Sequence, residues 1–208
     1  MRRPDFKGNT GPTSLDGTQV TVGDKPAFID YISPGQVNAL LASDTPTGTQ
    51  PLVVTTPSGV ATEYAVTVNA DEPGLLAPPS FVLGGIAYAA AFLPDGTIVL
   101  PTGALPGVNT CPARPGETVT LYGVGFGAVS PFIAAGDLAQ QLTSLARNLQ
   151  LNIGDVPASL PYAGLAPGYT GLYQINAVVP AAASGNVPLT FTLDGVAGAQ
   201  KLFLATGN

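Results

Sequence analysis

The sequence predicts an all-β protein built as two tandem antiparallel β-sandwiches. Three observations indicate this: short runs alternate polar and apolar residues, turn signals return about every eight to twelve residues, and blocks of sequence occur twice. Gly and Pro are abundant, with 26 and 21 residues, whereas charged residues make up only 10% of the chain. Apolar residues reach 45%, which is enough to build cores and is atypical of a disordered acidic chain.

The repeated blocks define the expected domain organisation. They keep one order along the chain, and the offset between copies lies between 131 and 138 residues. A repeat of this length indicates a duplicated domain, so we expect a first repeat at 1–74, then a connecting hairpin and a second repeat at 75–208. The matched blocks are 21–27 with 152–158, 36–41 with 174–179, 51–55 with 188–192, and 58–61 with 194–197.

In the first repeat, Gln19–Val22 alternates as a half-buried strand does, and the Gly-Asp that follows predicts a hairpin. Leu52–Thr56 and Tyr64–Val68 flank Pro57-Ser58-Gly59 as a further hairpin. The 17 residues before Thr18 are poor strand formers, so we expect the first sandwich to lack an N-terminal edge strand. An unpaired edge attracts another strand, so we expect residues 81–100 or a neighbouring molecule to cover it.

In the connecting region, Pro94-Asp95-Gly96 predicts a tight turn, and Thr118–Gly123 predicts a strand without a counterpart in the first repeat. Leucines at helical spacing behind Gly136-Asp137 predict a short helix in a loop: Leu138, Leu142, Leu145 and Leu149.

The second repeat is expected to superpose on the first, with Gln36 over Gln174 and Gly59 over Gly195. Seven extra residues between Ala158 and Gln174 predict a longer loop around Pro167-Gly168.

Composition excludes several functional classes. The chain has no His, which excludes Ser-His-Asp and Cys-His catalysis and His-ligated zinc. Its one cysteine, Cys111, excludes an intrachain disulfide and a thiolate metal site. The net charge is −6 and no Lys/Arg cluster extends beyond Arg2-Arg3, so we expect no nucleic-acid partner. The longest apolar run, Ile86–Leu93, is too short to span a bilayer, so we expect no membrane insertion.

Two groups of residues are candidates for a site. Most carboxylates lie beside Gly or Pro, as turn residues do, but Asp71 and Glu72 lie at the expected domain junction and are candidate calcium ligands. Calcium is the one cofactor the residues leave open. The second group is a repeated pair of amides, which either bind a ligand or brace a loop: Gln36, Asn38, Gln174 and Asn176.

The repeated blocks resemble a known family. Ser33–Asn38 (SPGQVN), Gly164–Gly168 (GLAPG) and Tyr173–Asn176 (YQIN) resemble the Solibacter-type uncharacterised C-terminal domain, found at the ends of large exported acidobacterial proteins. That family is similar in style to the immunoglobulin-like IPT/TIG modules. The segment Tyr122–Gly127 (YGVGFG) resembles the strand-end motif of those modules. The resemblance covers residues 13–205 and implies two immunoglobulin-like sandwiches without agreed catalytic residues.

The resemblance implies a non-catalytic structural, adhesion or binding module of an exported bacterial protein, extracellular or on the cell surface. Residues 1–9 lack the apolar stretch of a signal peptide, so either the protein is cytoplasmic or a leader and upstream sequence are missing. With the resemblance, we expect a fragment of a longer exported protein. Expected partners are a surface protein, a glycan, or a second copy paired through an exposed sheet edge. Two alternatives stay open: a calcium-dependent hydrolase without histidine, and a carbohydrate-binding module.

Overall fold

The computed structural model describes residues 6–181 and 184–207, and it confirms the all-β fold class. These residues form β-strands joined by turns, with a single 3-10 turn at Pro79–Phe81 and no α-helix. By their contacts they divide into two compact units. The first unit contains the described residues up to Asp71 together with 132–142 and 167–171, and the second contains the remainder.

The first unit is a two-layered arrangement of a sheet and a hairpin. The strands of the sheet lie in the order β2-β1-β5-β6, with β7 also paired to β5, and β3 pairs with β4 as the separate hairpin. The strands are β1 (Gln19–Val22), β2 (Lys25–Pro26), β3 (Phe28–Ser33), β4 (Gln36–Leu40), β5 (Gly48–Thr56), β6 (Gly59–Val60) and β7 (Tyr64–Val68).

The core of this unit lies between the sheet and the hairpin. Val20 and Val22 of β1 pack with Ile29 of β3 and Val68 of β7, and Val37 of β4 covers them in part. Alternation directs every second side chain of a strand to the same face, which places these residues together. Sandwich character therefore follows from the predicted polar–apolar pattern.

The two later segments of the first unit do not form the predicted helix. In 132–142, Leu138 donates its backbone N–H to Asn9 O at 2.9 Å, and Leu142 is 70% exposed. The next two leucines of the pattern belong to strands, so the helical spacing arises from separate elements. This prediction was wrong because long-range strand pairing overrides local periodicity.

The second unit contains two larger sheets and two small hairpins. One sheet has the order β13-β12-β11-β14-β20-β19 with β8 on β14, and the other has β18-β17-β21-β22 with β23 on β21. Its strands are β8 (Gly74–Leu75), β9 (Val82–Leu83), β10 (Ile86–Ala87), β11 (Ala91–Phe92), β12 (Ile98–Val99), β13 (Thr110–Cys111), β14 (Thr118–Val124), β15 (Val129–Ser130), β16 (Ser144–Leu145), β17 (Leu149–Ile153), β18 (Val156–Pro157), β19 (Ser159–Leu165), β20 (Tyr173–Val178), β21 (Gly185–Leu193), β22 (Val196–Ala197) and β23 (Leu202–Thr206).

The two repeats share strand order, as predicted. The five strands β2-β1-β5-β6 with β7 have the same order as β18-β17-β21-β22 with β23. The register is also shared: Val20 lies opposite Val54 in the first sheet, and the equivalent Leu151 lies opposite Phe191 in the second. Common strand order and register in two halves of one chain are what a duplication produces.

The hairpins β3-β4 and β19-β20 match in the same way. Gln36 lies opposite Ser33 and Gln174 lies opposite Gly164, which confirms that the two glutamines are equivalent. The predicted longer loop is also present, because residues 166–172 join β19 to β20 where Pro34 and Gly35 suffice in the first repeat.

The predicted equivalence of Gly59 and Gly195 was wrong by one residue. Gly59 lies opposite Thr56, and the residue in that position of the second repeat is Val196, opposite Leu193. The reason is turn chemistry. Asp194 and Gly195 have φ of 48° and 83°, as a type I′ turn requires, whereas Pro57 cannot reach positive φ.

As predicted, the described residues of the first repeat lack an edge strand. In the second repeat β14 pairs with β20 along its length, whereas among the described residues no strand pairs with the corresponding edge of β4. The prediction that the segment 81–100 covers that edge was wrong, because its strand β11 pairs with β14 inside the second unit. Coverage by a neighbouring molecule stays a prediction.

Candidate functional site

The repeated amides form the same side-chain hydrogen bond in both repeats. Gln36 Nε2 donates to Asn38 Oδ1 at 2.6 Å, and Gln174 Nε2 donates to Asn176 Oδ1 at 3.0 Å. Residues two apart on a strand lie on one face, so the spacing brings each pair together. The bond joins two side chains of one strand, and it does not brace a loop.

The two pairs differ in their surroundings. Gln36 and Asn38 are exposed, whereas Gln174 and Asn176 are half-buried. Asn176 Oδ1 also accepts a hydrogen bond from Thr120 Oγ1 at 3.2 Å, which links β20 to β14. The exposed pair on β4 therefore presents the polar face that its counterpart covers with a neighbouring strand.

The candidate calcium ligands do not belong to a larger cluster of acidic side chains. Among residues 6–181 and 184–207, no group of three or more His, Cys, Asp or Glu side chains is positioned to hold a metal. Asp71 is half-buried and Glu72 is exposed. The Glu72 backbone N–H donates to Gly125 O at 2.9 Å, which ties this residue to the turn after β14. Calcium stays a prediction resting on two adjacent carboxylates.

The glycine-rich segment after β14 forms a tightly packed turn. Gly125 and Gly127 have φ of 76° and 82°, which favours glycine. A Cβ on Gly123 would lie 2.6 Å from the Gly74 carbonyl oxygen, and one on Gly125 would overlap the Glu72 carbonyl. These glycines allow close approach of two backbones, as expected of a turn and not of a phosphate cradle.

An aromatic cluster fixes this turn, and two of its three members lie in motifs that the sequence singles out. Phe126 is fully buried, and its ring centroid lies 5.6 Å from those of both Tyr173 and Phe191. Tyr173 Oη donates to Gly127 O, and burial raises the pKa of this phenol. Tyr173 and Phe191 belong to different sheets, so the cluster joins the two sheets of the second repeat. Its sequence signals are Phe126 between two glycines and Tyr173 at the start of YQIN.

Several carboxylates act locally at turns or in surface ion pairs. Asp95 accepts the Thr97 N–H at 2.9 Å, and this bond lowers the pKa of Asp95. Asp44 accepts Lys25 Nζ at 2.6 Å, which lowers the carboxyl pKa and raises that of the lysine. Asp194 Oδ2 accepts a hydrogen bond from Arg147 Nη1 at 2.9 Å. Such groups are occupied in fixing turns, as the sequence predicts for Asp beside Gly.

Two shallow surface depressions lack ionisable side chains. One is lined by residues of β17, β18 and β19, and the other by residues of β5 and the hairpin at Gly59. A catalytic pocket combines a concave site with converging titratable groups. These depressions offer amide, hydroxyl and apolar groups.

In the described part of the chain no helix is long and apolar enough to cross a membrane. No protein-family profile matches the sequence, and no curated protein is significantly similar to it. The family resemblance of the repeated blocks therefore stays a prediction.

Proposed function

We propose that this chain is a non-catalytic structural and binding module, formed by two tandem immunoglobulin-like sandwiches of an exported bacterial protein. The observation that supports this most is the strand order that residues 19–68 share with residues 149–206. Both repeats keep one strand order and one register, and the side chains they share serve that framework. Duplication multiplies a scaffold or a binding surface more simply than it multiplies a catalytic centre.

The distribution of polar side chains gives further support. The repeated amides bond to each other, and the carboxylates Asp44, Asp95 and Asp194 bond to neighbouring turns or cations. A hydrolase requires an acid, a base or a nucleophile converging on one substrate position. Groups already engaged at separate turns do not provide that arrangement, and the resemblance to exported terminal domains is in keeping with a structural role.

The test measures turnover and the effect of calcium on stability. The purified chain is incubated with panels of glycosides, esters and peptides, with calcium or with a chelator, and its melting temperature is measured under both conditions. We expect no turnover, an unchanged melting temperature, and the same results for Asp71→Ala and for the turn control Asp155→Ala. Calcium-dependent turnover that is lost in Asp71→Ala, but kept in Asp155→Ala, would contradict the proposal and favour the hydrolase.

A further inference from the structure

The strand β4 has an apolar face that its counterpart buries completely. Ile175, Ala177 and Val179 of the second repeat are 0%, 0% and 1% exposed. Their equivalents by register are Val37, Ala39 and Leu41, of which Ala39 is exposed and Leu41 is 36% exposed. The alternation is the same in both repeats, so the difference lies in what covers the strand.

In the second repeat β14 lies on the outer edge of β20 and pairs with its backbone. Its residues pair antiparallel with β20 over six positions, from Thr118 opposite Val178 to Gly123 opposite Tyr173. Val179 extends this pairing, because its N–H donates to Glu117 O and its carbonyl accepts from Gly116 N–H, both at 2.9 Å.

The same geometry identifies which backbone groups of β4 are unpaired. Hydrogen-bonding direction alternates along a strand, so Ile175 and Ala177 point their N–H and C=O groups towards β14, as Val179 does. By register, Val37, Ala39 and Leu41 point theirs to the edge of β4 that no described strand occupies. An edge of this kind is a template for strand addition.

We propose that the free edge of β4 binds an extended segment of another polypeptide in the position that β14 takes on β20. This rests on the proposed function, because it names the partner of a binding module. The pairing is antiparallel, and the main-chain bonds to Val37, Ala39 and Leu41 supply affinity, as in other cases of strand addition.

The second repeat also specifies the chemistry of the bound segment. Thr120 lies opposite Asn176 and donates its hydroxyl to Oδ1, so a threonine or serine fits opposite Asn38, whose Oδ1 already accepts Gln36. Val119 and Leu121 lie opposite Ala177 and Ile175, so apolar residues fit opposite Ala39 and Val37. The segment therefore alternates threonine-like and apolar residues.

The test uses a synthetic peptide with the sequence of residues 116–124 (GETVTLYGV), acetylated and amidated, added to the full chain. Hydrogen exchange is followed by NMR at the amides of Val37, Ala39 and Leu41. Without peptide these amides exchange fast, and with peptide at saturation we expect exchange to slow by at least about tenfold. The amides of Ile175 and Ala177 are already covered and serve as internal controls.

Two variants keep the test specific. Ala39→Pro removes an N–H on the free edge while leaving the pairing with β3, and we expect peptide affinity to fall by about tenfold or more. Ala39→Ser keeps the N–H and should bind as the wild type does. A peptide with proline in place of Val119 and Leu121 should not bind the wild-type chain. This measurement does not depend on whether Ala39→Pro folds.

The inference fails if the peptide leaves exchange at these amides unchanged, or if Ala39→Pro folds and binds it equally well. It also fails if the chain alone protects them in a concentration-dependent dimer, because the occupant is then a second copy. Either result, with no turnover in the hydrolysis panels, leaves the structural module in place. Turnover in those panels would instead overturn the proposed function whatever the peptide does.

Discussion

At the scale of single residues, Asp194 shows how one side chain fixes a turn. Asp194 takes a φ of 48° and Gly195 a φ of 83°, which closes the β21-β22 hairpin in two residues. The Asp194 carboxylate then accepts Asn148 N–H at 2.8 Å and Arg147 Nη1 at 2.9 Å. One side chain thus fixes the turn and joins it to the residues that enter β17.

The pH dependence of stability follows from this carboxylate. The bond from Arg147, then that from Asn148 N–H, lowers the Asp194 pKa below its ordinary value of 3.8. A lowered folded-state pKa gives stability that is present above pH 3.8 and is lost as the pH falls through the folded value. We expect Asp194→Asn to reduce the loss of stability between pH 7 and pH 2.5, measured by urea unfolding.

Asparagine tolerates positive φ, so this variant keeps the turn. Arg147→Gln removes the largest cause of the shift and retains the carboxylate, so its acid dependence should lie between those of Asp194→Asn and the wild type. Equal acid sensitivity in all three proteins would show that Asp194 does not contribute.

At the scale of elements, two hairpins of similar sequence have the same strand pairing, but their side chains are buried to different extents. The hairpins β3-β4 and β19-β20 share their register and their Gln-Asn bond, yet among the described residues a strand lies on the outer edge of β20 and none on that of β4. The Asn176 side chain therefore accepts hydrogen bonds from two strands, whereas the exposed Asn38 accepts one from Gln36 of its own strand.

The two asparagines form a matched pair for mutation. Asn176→Ala should lower the free energy of unfolding by about 1–2 kcal/mol, because it removes two hydrogen bonds and leaves Thr120 and Gln174, both half-buried, without their acceptor. Asn38→Ala, at an exposed position, should cost at most about 0.5 kcal/mol. Denaturant unfolding monitored by circular dichroism measures both, and equal losses would contradict the role of burial.

At the scale of the whole molecule, the chain order and the compact units do not coincide. The first unit takes in 132–142 and 167–171, which lie within the sequence of the second repeat. Gly136 packs so closely on Phe28 that a Cβ would overlap the ring, and Gly171 meets Leu40 in the same way. Thr10 Oγ1 donates to Asp137 Oδ1 in the same region.

A fragment ending at residue 74 should therefore be less stable than the first unit of the full chain. It loses the packing on Phe28 and Leu40, so we expect the free energy of unfolding to fall by a few kcal/mol, on the order of two buried side chains. Thermal melting of the fragment and the full chain tests this, and equal melting temperatures for the first unit would show that the two segments add no stability.

The full chain allows a finer control within those segments. Gly136→Ala places a methyl group into the Phe28 ring, whereas Gly168→Ala has no atom within 4 Å of the new Cβ at a similar φ. The excess destabilisation of Gly136→Ala over Gly168→Ala measures the packing and not the backbone conformation.

The sequence by itself determined what depends on neighbours in the chain. Alternation gave the strands, Gly-Asp pairs gave the two-residue turns, and the repeated blocks gave one strand order, the equivalence of Gln36 with Gln174 and the loop at Pro167-Gly168. These features follow from local dihedral preferences and a period of two, which any short window of sequence contains.

Tertiary structure decided what depends on residues far apart. Leucines at helical spacing joined separate strands because pairing with β21 and β15 outweighs a short amphipathic pattern. Local sequence did not predict the one-residue shift of the turn at Pro57. It also did not predict that residues 132–142 belong to the first unit. The same holds for the exposure of Ala39 against the burial of Ala177, because burial depends on which distant segment packs against a strand, and no periodicity encodes that segment's identity.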